Sequence, residues 1–299
     1  MQLPTIMPEN KKPSIIIFLA ILGLALIWGS SFILVKKSLA HYSALQVGAL
    51  RICSASLFFL PIFLKRFKYM ERKHSLSFLS AGLTGNLIPA ILFAIAGQHL
   101  SSALSGMLNA FTPLFTLIIG ILFFAQPFLW KQMTGILVGL LGCLGLLFAG
   151  QGFNIDFNVH ALWVVLATFL YGINMHIVKT KLSDLHPLTS TAGIFMMIGP
   201  LALGLLYSTG FFEIPLDNEH IWAFISAMAL GLFGSAIGML AFNQIIKWTS
   251  AIVASSVTYM IPIVALGWGF VDGEAIYLSQ IFFMFVLLAG IYLVNKSKS

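Results

Sequence analysis

The second half of this sequence repeats the first. The stretch Leu24–Leu39 reads LALIWGSSFILVKKSL, and Ala167–Leu182 reads ATFLYGINMHIVKTKL. Trp28-Gly29 therefore answers Tyr171-Gly172, and Val35-Lys36 answers Val178-Lys179. Ser102-Ala103 pairs with Ser250-Ala251, and Pro113 with Pro262. The run Ala125-Gln126-Pro127 with its Gln132 is echoed by Gly273-Glu274-Ala275 with its Gln280. Spacings between mates drift only from 143 to 149 residues, and their order is kept. A duplicated chain builds one structure from two copies of a unit, and in an apolar chain the two copies enclose a central site within a membrane.

The chain is apolar throughout. It is 59% hydrophobic and 8% charged, with a mean hydropathy of +0.99, whereas soluble domains carry roughly a quarter charged residues. A spanning helix needs roughly 20 mostly apolar residues. Ten segments qualify: 15–35, 44–64, 76–96, 102–125, 132–150, 160–178, 187–208, 221–243, 250–271 and 277–295. The expected fold is an all-α integral membrane protein of two five-helix repeats. The first repeat covers 15–150 and the second 151–295, between an N-terminal tail at 1–14 and a C-terminal tail at 296–299. The first segment is too long for a signal-peptide core and precedes no small-x-small site, so it reads as a retained helix.

Charge placement orients the repeats. With the N-terminus inside, thirteen basic residues face the cytoplasm: Lys11, Lys12, Lys65, Arg66, Lys68, Arg72, Lys73, Lys131, Lys179, Lys181, Lys247, Lys296 and Lys298. Only Lys36 and Lys37 face outward, and Arg51 falls within a helix. Asp156, Glu213, Asp217, Glu219, Asp272 and Glu274 fall on the outer side. The positive-inside rule then places both termini in the cytoplasm of a cell-membrane protein. The net charge of +7 records topology rather than nucleic-acid binding. Five is an odd number, so the second repeat enters the membrane inverted relative to the first.

Ten segments, the duplication, WGSSF (Trp28–Phe32), and the spacings Pro113-x(12)-Gln126 and Pro262-x(11)-Glu274 together resemble the EamA family of the drug/metabolite transporter superfamily. The resemblance covers residues 15–295 and implies ATP-independent, mostly outward movement of amino acids, other small metabolites or drugs. It also implies that helices 1, 3, 4, 6, 8 and 9 surround a central cavity. Family members usually carry glutamate at the position held here by both Gln126 and Glu274, so the first repeat departs from the pattern.

Polar groups in hydrocarbon are costly and mark candidate sites. Arg51 reads either as a fixed charge facing a substrate carboxylate or as an interfacial, snorkelling arginine. Its repeat-mate is Ile194, and no acidic residue within a span is an obvious partner. Ser31, Asn86, Asn109, Asn174, His176 and Asn243 offer hydrogen bonds on the expected cavity helices, or else interhelical glue. His176, well inside its segment, reads as a neutral hydrogen-bonded ring or as a proton carrier. Trp28 and Tyr171, matched and each followed by glycine, read as rings that stack on or gate a substrate or as ordinary packing and interfacial rings. Tyr259 in helix 9 is a weaker candidate whose default is packing. Pro113 and Pro262 are paired candidate kinks, read either as points that let the halves rock or as kinks with no motional role.

Small-residue spacings at Gly135, Gly139, Gly142 and Gly145 suit either internal packing or a homodimer. Cys53 and Cys143 lie in apolar segments as packing residues. The chain calls for no metal and no cofactor: no Walker A pattern, no serine-centred G-x-S-x-G and no His-x-x-x-His pair is present. A channel or structural subunit is the remaining alternative. The expected partners are a small-molecule substrate and the lipid bilayer. A lone arginine with amides and rings suits an amino-acid-like solute, with a drug-like or cationic compound as the runner-up.

Overall fold

The computed structural model describes residues 14–125, 130–149, 158–248 and 257–296. Every element within them is helical, and no strand occurs among the described residues. Helix α1 is Ser14–Ser38 and α2 is Ala44–Arg66. Helix α3 joins Ser75–Gly82 to Ile88–Gly97 through a π-helical segment, Leu83–Leu87. Helix α4 joins Ser102–Leu108 to Thr112–Phe123 through a 3-10 turn, Asn109–Phe111. Trp130–Phe148, Ala161–Lys181 and Pro187–Ser208 form α5, α6 and α7. Helix α8 joins His220–Ala229 to Gly238–Trp248 through a second π-helical segment, Leu230–Ile237. Val257–Val271 is α9 and Leu278–Lys296 is α10.

Seven of these, α1 to α4 and α6 to α8, are long and apolar enough to cross a membrane. The described parts of α5, α9 and α10 are apolar but shorter. Residues 249–256, within which the ninth expected segment begins, lie outside the described residues. So do the tails with Lys11, Lys12 and Lys298, the Gln126-Pro127 pair, the 150/151 repeat boundary with Asp156, and Ser250-Ala251. The side chains of Lys131, Gln132 and Lys247 are likewise not described.

The helices turn apolar side chains outward as well as inward. Leu57, Leu64, Leu141, Phe270, Val271 and Phe285 are all exposed. Water would penalise such a surface, whereas lipid tails do not, and helices satisfy their own backbone groups there. Inside, α2 is tied to two neighbours: the Ser54 hydroxyl donates to the Met228 carbonyl of α8 at 2.8 Å, and the Ser56 hydroxyl to the Phe195 carbonyl of α7 at 2.9 Å. Phe59 stacks on Phe195 beside them, with ring centroids 5.2 Å apart.

Helices α5 and α10 meet along their small residues. A methyl group on Gly290 would strike the Gly139 backbone nitrogen, one on Gly142 the Leu287 backbone, and one on Gly135 would lie 2.6 Å from the Val294 nitrogen. The glycine stripe of α5 is thus occupied by the chain's own last helix, which removes the sequence argument for a homodimer through that face. Cys53 and Cys143 are free thiols.

Contacts recur between the halves at the spacing of the repeat. Gly82 of α3 packs against Ile194 and Ile198 of α7, while Gly231 of α8 packs against Arg51 and Ser54 of α2. Gly85 packs against Asn174, while Gly234 packs against Ser31. Ile194 and Arg51 are mates, as are Asn174 and Ser31, so each half offers a glycine pair to the other half's helices.

Candidate functional site

The two π-helical segments occupy matching places in the repeat. Gly82-Leu83-Thr84-Gly85-Asn86 aligns with Gly231-Leu232-Phe233-Gly234-Ser235 at a constant spacing of 149 residues. A π turn widens the helix, frees carbonyls from the regular ladder and is common at functional sites. Here the glycines admit neighbouring helices against the widened turns, and those neighbours bring the polar side chains.

At the α8 segment, the Trp28 indole N–H donates to the Gly234 carbonyl at 2.9 Å, and the Trp28 ring rests on Phe242 at 5.3 Å. Ser31, one helical turn further, is buried; its hydroxyl donates to the Ile27 carbonyl at 3.1 Å and sits against Gly234. The Arg51 guanidinium donates through Nε to the Ser235 hydroxyl at 2.8 Å. Its charge also acts on Tyr171. The Tyr171 ring stacks on Phe93 at 6.0 Å, and Phe93 meets Phe32 edge-on at 5.7 Å. Asn174 stands one turn along α6 from Tyr171, against Gly85 of the α3 segment. Its Oδ1 is buried and accepts no hydrogen bond. Such an atom calls for a donor from elsewhere.

None of the nine acidic residues falls within α1–α10. The Arg51 side chain is therefore met by the Ser235 hydroxyl instead of a carboxylate. Arginine carries five donors, so the Ser235 bond leaves a fork able to grip a carboxylate side by side.

A second polar cluster closes one end of the bundle. The Lys36 ammonium lies 2.7 Å from both Asp272 and Glu274, and Lys37 pairs with Asp272. Glu274 also accepts from the backbone N–H groups of Ser102 and Ala103, at 2.9 and 3.0 Å, at the start of α4. Hydrogen bonds from Lys36 and Lys37 hold the Asp272 carboxyl below the ordinary carboxylate range. Burial alone would raise that of Glu274, but the bonds from Lys36, Ser102 and Ala103 together bring it below its ordinary value. At the other end, His74 lies 3.0 Å from Asp184, and Arg66 donates to Thr189 at 3.2 Å.

The structure thus gathers Trp28, Ser31, Arg51, Tyr171 and Asn174 around the two π segments, with Asn86 inside one of them. The other expected residues lie elsewhere. Asn109 opens the 3-10 turn of α4, just before Pro113. The Nε2 of His176 lies 2.8 Å from the Thr116 carbonyl, and its ring stacks on Phe124 at 4.5 Å. Asn243 follows Phe242 in the second part of α8. Tyr259 packs on the apolar cluster of Leu108 and Phe111 that Tyr171 also borders. Pro262 interrupts α9 from within. Ser235, Phe32 and Phe93 were not singled out from the sequence. The signal for Ser235 is its place as the mate of Asn86 in the repeated Gly-x-x-Gly pattern.

Comparison with known proteins shows the family. The model of the EamA-like transporter family matches the chain twice, over residues 15–148 and 159–296. The chain is 25% identical to the uncharacterized transporter YyaM of Bacillus subtilis, over 92% of each chain. It is also 25% identical to the uncharacterized inner membrane transporter YedA of Escherichia coli K12, covering 94% of this chain and 91% of that one. A probable terminal-alkyne amino-acid exporter of Streptantibioticus cattleyicolor is 25% identical over 82% of this chain and 81% of its own. One crystal structure superposes with a TM-score of 0.61 at 15% identity, covering 93% of this chain and 95% of that one, and shares the fold.

Proposed function

The chain belongs to the EamA-like transporter family, and from that premise we propose that it exports amino acids or closely related small metabolites by alternating access. It is a multi-pass membrane transporter and not an enzyme. The finer reading has two inverted five-helix repeats, 15–150 and 151–295, with both termini cytoplasmic and a cargo site between the halves. Its support is the reciprocal packing of Gly82 on Ile194 and Gly231 on Arg51, the matched π segments, and the excess of cationic side chains at one end of the sequence topology.

The observation that carries the substrate class is the pairing of one cation with one unsatisfied acceptor. Arg51 offers N–H groups to a carboxylate, and the buried Asn174 Oδ1 offers an acceptor to an ammonium. A zwitterion satisfies both at once. Phe32, Phe93 and Tyr171 form the apolar wall beside them. Trp28, Ser31 and Asn86 line the same place, and Asn109, His176, Asn243 and Tyr259 serve the path or the packing around it. Pro113 and Pro262 are the matched prolines of α4 and α9, which serve as hinge points in this reading. The amino-acid exporter among the relatives is consistent with this class of cargo.

A deletion strain fed a defined mixture of amino acids and dipeptides tests the reading. The cargo accumulates inside the deletion strain, and the purified protein in liposomes moves the same compound with saturable kinetics. No accumulation of any compound and no flux in liposomes defeats the proposal, and non-saturating flux turns it into a pore. The run of rings from Phe32 to Tyr171 also favours one alternative, a drug-like or cationic cargo, which the same strain reveals as altered sensitivity to such compounds.

A further inference from the structure

Glu274 is a carboxylate seated in a receptor that other parts of the chain build. Its side chain is 3% exposed, although it comes from the connection between α9 and α10. Gly273, at a φ of 70°, turns the chain so that Glu274 points back onto the bundle. There the carboxylate meets Lys36 from α1 and the N–H groups of Ser102 and Ala103 from α4. A helix N-terminus with an adjacent ammonium is a general receptor for carboxylates. Asp272 shares Lys36 and is tied to Lys37, so the local charge is balanced by two acids against two lysines.

Directly against Lys36 and Ser102 lies a cavity of about 10 Å³, lined also by Phe32, Phe93, Gly97 and Ser105. Ser105 is 4% exposed, and its hydroxyl has no hydrogen-bond partner. The space is water-sized, and a buried hydroxyl facing it lacks the partner that such groups normally have. Phe32 and Phe93 form its apolar wall. They are also the rings that lead through Tyr171 to Arg51. The cavity therefore continues the line of the central cluster toward the end of the bundle that Glu274 closes.

We propose that Lys36, the Ser102 and Ala103 N–H groups and the Ser105 hydroxyl form a second carboxylate subsite, which Glu274 occupies as a tethered stand-in and yields to the carboxylate of a passing solute. The use of the subsite in transport rests on the transporter reading above; its chemistry does not. A carboxylate that reaches Lys36 keeps the ammonium paired, while the displaced Glu274 carboxylate turns out of its seat and regains hydration. Neutral solutes offer no such replacement, and the closure over the cavity discriminates against them. The repeat position that holds Glu274 here holds the uncharged Gln126 in the first repeat.

Chemical rescue tests the subsite without a known cargo. The full chain is purified with Cys53→Ala and Cys143→Ala, and Ser105→Cys reports access to the cavity through its rate of reaction with a charged methanethiosulfonate reagent. With Glu274 present the thiol reacts slowly. Glu274→Ala speeds the reaction roughly tenfold or more, and acetate, but not acetamide or chloride at equal concentration, slows it again; at about ten times its dissociation constant acetate reduces the open fraction roughly tenfold. Adding Lys36→Met abolishes the acetate effect. Equal effects of acetate and acetamide, no change on Glu274→Ala, or an acetate effect that survives Lys36→Met each overturns the proposal. Should the Ser105→Cys protein not fold, the melting temperature of Glu274→Ala gives the same answer: it rises with acetate and not with acetamide, and equal shifts refute the subsite. A transport screen that finds no cargo leaves these results untouched, so the two readings fail separately.

Discussion

The Arg51 guanidinium donates to the hydroxyl of Ser235, 184 residues away in the chain, at 2.8 Å. That bond joins α2 to the π segment of α8 and holds the cation beside Tyr171. Charged hydrogen bonds of this kind contribute about 1.5–3 kcal/mol. Arg51→Ala therefore lowers flux of carboxylate-bearing solutes by roughly tenfold or more, and that of neutral solutes much less. Ser235→Ala keeps the charge but loses its anchor, giving a smaller loss expressed mainly as weaker apparent affinity. Flux measured in liposomes with an amino acid and its amide separates the two. Equal loss for both solutes in Arg51→Ala would reduce the arginine to a helix tie.

Packing of α5 on α10 leaves no room for a methyl group at Gly290, whose added carbon would meet the Gly139 backbone nitrogen. Backbone cannot give way as a flexible side chain does. Gly290→Ala costs about 1–3 kcal/mol by overpacking, seen as a melting temperature several degrees lower in detergent. Gly23, with nothing within 4 Å, is the control. Gly23→Ala is neutral or slightly stabilising, since alanine favours helix over glycine by about 1 kcal/mol.

How much of this was legible in the sequence differs from residue to residue. The pairing of Trp28 with Tyr171 and the charge separation needed only short-range patterns, because apolar length and basic loops act locally along the chain. Glu274 was legible as an outer-side acid and as the mate of Gln126. Its bonds to Lys36, Ser102 and Ala103 join segments more than 170 residues apart and leave no local trace. Arg51 stood out because charge is rare in spans, but its partners did not, since hydroxyls are common there. The π segments are set by how Gly82 and Gly231 meet α7 and α2, a tertiary effect that helical periodicity does not carry. The α5 glycines fitted a dimer or an internal seam until α10 was seen against them.

Acid reveals whether the Lys36 cluster stabilises the fold. The folded carboxyls of Asp272 and Glu274 sit below their ordinary values of 3.8 and 4.5. A depressed carboxyl contributes stability that is fully present above its unfolded value and is lost as pH falls through the folded one. Lys36→Met therefore melts several degrees lower than the native protein near neutral pH. The gap narrows once pH drops below about 4.5 and closes when both acids are protonated. A gap that persists unchanged at low pH would show that Lys36 acts through packing of its stem instead.

The two readings of His176 are separable by the same logic. Its Nε2 faces the Thr116 carbonyl at 2.8 Å, and a carbonyl only accepts, so that nitrogen carries the proton and donates it. Phe124 covers the ring at 4.5 Å, and no acidic residue shares the span. A ring held in this way acts as a tie between α6 and α4. A proton carrier instead needs a partner that exchanges the proton. His176→Gln preserves a donor in the same direction, so the pH profile of transport stays unchanged and stability falls by about 1 kcal/mol or less. His176→Ala loses the bond and the stacking on Phe124, and melts lower still, again with an unaltered pH profile. Flux measured in liposomes across a range of imposed pH gradients decides the matter: a profile that moves or flattens in His176→Gln, with the protein still folded, assigns His176 to proton coupling and overturns the structural role.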